Sequence, residues 1–129
     1  MTFVVDASVA IEVLLRTPRG DRALDLIGDT PVAAPELLDA EVLSVLRRLT
    51  LRGALAPRRA RQAIAALTEW PILRLSHSPL LPATFALREN LSAYDALYVA
   101  AAAALNAVIV TADGPLARAP VPVAVHDVG

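Results

Sequence analysis

The sequence predicts an α/β protein built around a parallel sheet, and two observations carry that prediction. Short apolar runs suited to buried strands recur at Thr2–Val5, Pro31–Ala34, Ile72–Leu75, Val108–Val110 and Val121–Val125. Longer segments with helix signals separate them, and strands joined through helices pair in parallel with both sheet faces covered. At 129 residues the chain suits one domain, residues 1–129. That length buries about two-thirds of the unfolded surface in a single core.

The helices are read in order from their start and stop signals. One is expected over Ser8–Arg16, capped by the Ser8 hydroxyl, and a short one over Asp21–Ile27 ending near Gly28. Pro35 suits the first turn of a long helix that runs to about Leu51 and stops at Gly53. Pro57 opens the next, through Glu69. Pro79–Asn90 and Ser92–Leu105 are two more, the second closed by Asn106 as a left-handed C-cap.

Composition narrows the function classes. The chain is 56% hydrophobic with a mean hydropathy of +0.53, which implies spare apolar surface and an oligomer. The longest apolar run, Ala96–Leu105, is about half a membrane span. The start, M-T-F-V-V-D, lacks the basic region of a signal peptide, so a cytoplasmic protein is expected. No cysteine is present, which excludes disulfides and thiolate metal sites. A net charge of −1 argues against sequence-independent binding of nucleic acid. All twelve basic residues are arginine. That excludes a P-loop lysine and any lysine base, and leaves the guanidinium fork as the only cation.

Four acids gather at one edge of the expected sheet. Ligands of such sheets bind beyond the carboxyl ends of the strands, where strand order reverses. Asp6 follows the first strand and Asp113 follows the strand Val108–Val110. Asp95 opens the helix after Ser92, and helix starts lie at that same edge. Glu41 lies in the second turn of the helix after the second strand, beside the apolar stripe of Leu38, Val42, Val45 and Leu49. Asp39 falls on its far side, toward water. Each acid also has a structural reading: a turn for Asp6, an Asp-Gly turn for Asp113, a pair with Arg48 for Glu41. For Asp95 it is a capping box with Ser92. Together the four repel by about 4 kcal/mol per pair at ~4 Å and an effective dielectric near 20. An all-oxygen cluster of this kind suits a hard ion, Mg²⁺ or Mn²⁺. Ser8 and Thr111 stand two residues from Asp6 and Asp113 and can orient their carboxylates.

V-V-D-A-S-V near the start, P-E-L-L-D-A-E-V in mid-chain, then L-S-A-Y-D-A-L-Y-V-A-A-A and V-I-V-T-A-D together resemble the PIN-domain ribonucleases. The likeness is greatest to the VapC-type toxins of bacterial toxin–antitoxin pairs and runs from about Phe3 to Val125. It implies a five-stranded parallel sheet flanked by about six or seven helices, and Mg²⁺- or Mn²⁺-dependent cleavage of RNA. It also implies a homodimer and a cognate VapB-like antitoxin. The family's catalytic and metal-holding acids match Asp6, Glu41, Asp95 and Asp113; its hydroxyl positions match Ser8 and Thr111. No acid of the pattern is missing.

Other classes fit less well. An aspartate-nucleophile phosphatase needs an acid two residues after Asp6, where Ser8 stands, and a lysine. A signalling receiver domain also needs a lysine, and the chain has none. A non-catalytic module that binds an antitoxin or RNA remains the alternative. Six arginines, at positions 47, 48, 52, 58, 59 and 61, crowd the turn between two helices, where they complement a helix C-terminus. His77 and His126 stand apart from the acids, and Trp70 reads as a core or interface residue.

Overall fold

Phe3–Val5 form the central strand, β1, and all three residues are buried. Successive strand side chains point to opposite faces, so unbroken burial means that both faces are covered. β1 pairs with β2 (Val32–Pro35) on one side and β4 (Val108–Thr111) on the other. β3 (Ile72–Leu75) lies beyond β2 and β5 (Val125–Asp127) beyond β4. Every pairing is parallel, and the order is β3-β2-β1-β4-β5. This computed structural model describes residues 1–129.

Seven α-helices connect the strands. α1 (Ala7–Leu14), α2 (Pro18–Ile27), α3 (Leu37–Leu51) and α4 (Pro57–Glu69) pack on one another. α5 (Leu81–Ala86) lies beside α6 (Ala93–Leu105), and α6 packs on β1, β2 and β4. α7 (Gly114–Arg118) follows β4. Residues Ala96–Ala102 of α6 are buried without interruption; small alanine side chains let its neighbours close in on every side. Asn106 ends that helix in the left-handed region at φ 51°, as the sequence implies. No helix is long and apolar enough to cross a membrane.

Several boundaries differ from the sequence reading. Asp6, two residues ahead of Ser8, caps α1. α2 begins at Pro18 rather than Asp21, because Thr17 caps it and Pro18 occupies the first turn. Pro35 ends β2 and does not enter α3. The segment from Pro79 divides into a 3₁₀ turn, Ser78–Leu80, and α5, which stops at Ala86. The last strand starts at Val125 instead of Val121, since Pro120 and Pro122 cannot donate to a ladder. α7 has no counterpart in the sequence reading; its single turn is too short for periodicity to reveal.

One contact sets the corner between α1 and α2. A Cβ at Gly20 would stand 2.2 Å from the Glu12 carbonyl oxygen, which is backbone and cannot swing away. Gly20→Ala is therefore expected to force the helices apart and destabilise the protein by about 1–3 kcal/mol, the usual range for overpacking. Urea unfolding checks this; a wild-type midpoint in the variant would show that the corner yields freely.

Candidate active site

Asp6 directly follows β1 and is only 5% exposed. Its backbone is extended (φ −95°, ψ 175°), which lets the carboxylate turn onto the first turn of α1. Oδ1 accepts from the Ser8 hydroxyl at 2.6 Å and from the Val9 amide at 3.1 Å. Oδ2 accepts from the Thr111 hydroxyl at 2.5 Å. Thr111 ends β4, so one carboxylate joins the ends of two adjacent strands. The same hydroxyls look outward too: Ser8 Oγ accepts the Ala112 amide at 3.0 Å and Thr111 Oγ1 the Asp113 amide at 2.9 Å. Burial pushes the Asp6 carboxyl above its ordinary range, the hydroxyls and the amide pull it down, and the charge of Asp113 raises it further.

The other three acids come from three more elements. Glu41 takes no arginine. Its Oε1 accepts from the Tyr98 hydroxyl at 2.7 Å, and Tyr98, on α6, is 1% exposed. Burial first, then the neighbouring Glu41, drive the Tyr98 phenol far above its usual range, so it stays protonated and donates. Asp95 lies in the first turn of α6, where the Ser92 hydroxyl accepts its amide at 3.2 Å. Only that half of a capping box is made: the Asp95 carboxylate does not bond the Ser92 amide. Burial and then the Asp113 charge raise the Asp95 carboxyl, while the Ser92 hydroxyl lowers it. Asp113 caps α7 by accepting the Leu116 amide at 3.4 Å, in place of the expected turn.

Asp6, Glu41, Asp95 and Asp113 line one cavity of about 370 Å³. It opens at the carboxyl ends of β1 and β4, where the chain leaves β1 for β2 on one side and later returns to β4 on the other. None of the four acids is salt-bridged. Their donor set, oxygen only, suits a hard divalent ion. The carboxylates do not close into a tight group of three; four like charges unpaired by any protein cation hold apart. Asp6 is locked by its hydrogen bonds, whereas Glu41 and Asp113 each have one oxygen bonded and one without a hydrogen-bond partner. The set therefore fits such an ion by chemistry, with the less buried acids able to turn inward.

Two more charged residues line the cavity, Glu12 and Arg19, and the sequence reading does not single them out. The available signal for Arg19 is Thr17-Pro18 as a helix start. Tyr98 is likewise absent from that reading, although a buried phenol on an apolar helix needs a hydrogen-bond acceptor. Asp39, expected to face water, has a side chain 40% exposed and pairs with Arg74 at 2.8 Å. His77 serves the backbone: its Nε2 accepts the Leu37 amide at 2.9 Å at the start of α3. Trp70 packs against the core, and the arginines from 47 to 61 are all exposed.

The family model of the PIN domain matches residues 3–122. The chain is 42% identical over 121 residues to Ribonuclease VapC1 of Mycobacterium tuberculosis, covering 91% of this chain and 90% of that one. It is 41% identical over 110 residues to Ribonuclease VapC9 of the same organism, covering 85% and 84%. In fold it resembles VapBC2 from Rickettsia felis, solved with a promoter DNA fragment, at a TM-score of 0.72 and 14% identity over 98% of each chain. It also resembles PAE2754 from Pyrobaculum aerophilum at a TM-score of 0.75 and 22% identity, over 99% of this chain and 84% of the other. With a family match over nearly its whole length and such identity to curated relatives, the chain belongs to the PIN-domain family, among the VapC-type ribonucleases.

Proposed function

We propose that this protein is a divalent-metal-dependent endoribonuclease and the toxin of a toxin–antitoxin pair. The observation that carries the reading is the convergence of four carboxylates, from four separate elements, on one cavity at the strand-order reversal. Curated relatives that bear the name ribonuclease supply the substrate class. Residues 1–129 act as one nuclease domain, in the cytoplasm, where RNA is at hand. The VapBC assemblies among its fold neighbours support a VapB-like antitoxin as partner.

Asp6, Glu41, Asp95 and Asp113 would hold Mg²⁺ or Mn²⁺. Such an ion supplies Lewis-acid polarisation of a phosphodiester and makes a water more acidic for in-line attack. The chain's own part is positioning. Ser8, Thr111 and the Val9 amide fix both oxygens of Asp6. Tyr98 aims Glu41 by occupying Oε1 and leaving Oε2 free. Ser92 caps α6 by accepting the Asp95 amide, which fixes the turn from which Asp95 lines the cavity. Exposed apolar side chains on α5, Leu81 at 54% and Phe85 at 67%, provide surface for the homodimer.

For Asp95→Asn, removal of one repelling charge should leave the metal-free protein at least as stable as wild type. The relief amounts to up to several kcal/mol before solvent screening, against about 0.3–1 kcal/mol for the lost helix-start charge. Mg²⁺ should raise the melting temperature of the variant less than that of wild type, and RNA cleavage should drop more than about 100-fold. Melting curves in chelator and in millimolar Mg²⁺, beside a cleavage assay, decide it. An active variant destabilised equally in both conditions would reduce Asp95 to a structural residue.

Tyr98→Phe keeps the packed ring and removes only the donor to Glu41. Stability should fall by about 0.5–1.5 kcal/mol, while Mn²⁺ affinity measured by calorimetry should fall about 10–100-fold. Unchanged Mn²⁺ affinity would show that Glu41 needs no aiming. Sedimentation should find a species of twice the 13.6 kDa chain mass; a monomer at every concentration would refute the dimer.

A further inference from the structure

Five carboxylates line the site cavity, and Arg19 is the lone cation among them. An arginine in such company normally forks onto an acid through two hydrogen bonds. Arg19 does not. Its Nη1 stands 3.8 Å from Glu12 Oε1, beyond hydrogen-bond length, and its side chain is 52% exposed. Glu12 is already engaged by the Thr17 hydroxyl. The guanidinium is therefore placed at the cavity, held loosely, and bonded to nothing else.

Its place follows from the backbone. Thr17 caps α2 by accepting the Gly20 amide at 3.1 Å, Pro18 fills the first turn, and Arg19 comes next. Gly20 presses on the Glu12 carbonyl with no room for a Cβ. The same tight corner thus brings Arg19 and Glu12 together at the cavity that Asp95 also lines.

An RNA phosphate approaching this cavity meets the negative charge of the acids. A guanidinium there offers a planar fork matched to two phosphate oxygens. Resting on the ribonuclease reading above, we infer that Arg19 contacts a phosphate of the bound RNA. Glu12 acts as its latch, holding the guanidinium at the cavity until the phosphate takes it over.

The experiment measures binding of a fluorescein-labelled single-stranded RNA by anisotropy, at fixed millimolar Ca²⁺ and a series of NaCl concentrations, with cleavage followed on a gel. Arg19→Ala should weaken binding about tenfold at low salt and lower the slope of log Kd against log salt by about 0.7, one phosphate contact on a single strand. Arg19→Lys should restore the slope, since charge alone sets it. Glu12→Gln should tighten binding about threefold where Arg19 is present, yet have little effect in the Arg19→Ala background, because the two residues are coupled. Circular dichroism melting of each variant checks that it is folded. A wild-type slope in folded Arg19→Ala overturns the phosphate contact, and an equal Glu12→Gln gain in both backgrounds overturns the latch. Wild-type protein that neither binds nor cuts RNA overturns the ribonuclease reading itself, and this inference with it.

Discussion

Asp6 is 5% exposed, and a carboxylate at that depth costs several kcal/mol unless its oxygens are engaged. Both are. The Ser8 hydroxyl and Val9 amide take one oxygen and the Thr111 hydroxyl takes the other. One side chain thereby starts α1, joins the end of β1 to the end of β4 and, through Thr111, positions the Asp113 amide. The remainder of the site is arranged around this junction. Replacing either hydroxyl by an apolar group would leave a buried charge short of a donor.

The acids repel one another, and the fold offsets part of that cost at helix starts. Asp6 caps α1, Asp113 caps α7, and Asp95 lies in the first turn of α6. Each helix N-terminus presents roughly half a positive charge in its unbonded amides, worth about 0.3–1 kcal/mol to a nearby carboxylate. Glu41 sits outside this scheme, in the second turn of α3, and is the one acid aimed by a tyrosine. The raised carboxyls of Asp6 and Asp95 show that compensation is partial: burial outweighs the donors at both.

The α1–α2 corner adds a second layer. Gly20 permits backbone contact with Glu12, and that contact turns α2 so that its first residues reach the cavity. Gly20 stands in the first turn of α2, where a Cβ would meet the Glu12 backbone, so only glycine fits.

Much of this architecture is legible in the order of the residues. The five strand segments lie within a few residues of where their apolar runs indicate, since each run is bounded by proline, glycine or a polar residue. Helices with clear punctuation, such as Pro57–Glu69 and the one closed by Asn106, end where their signals stand. Alternation of strand and helix implies a parallel sheet, and the edge rule for ligands brings Asp6, Glu41, Asp95 and Asp113 together. Those inferences rest on local spacing and on chain direction, which a sequence states outright. Which hydroxyl aims Glu41, and which one holds the second oxygen of Asp6, depend on distances between segments remote in the chain. Ser8 meets Thr111, and Tyr98 meets Glu41, only once β4 has paired with β1 and α6 has settled on the sheet. Arg19 lines the cavity beside the corner where the helices close to backbone contact at Gly20. Local pattern thus sets the elements and the edge at which the acids gather. The partners of those acids are settled by the folded chain, because hydrogen bonds and steric contact act over a few ångströms between residues that local pattern cannot relate.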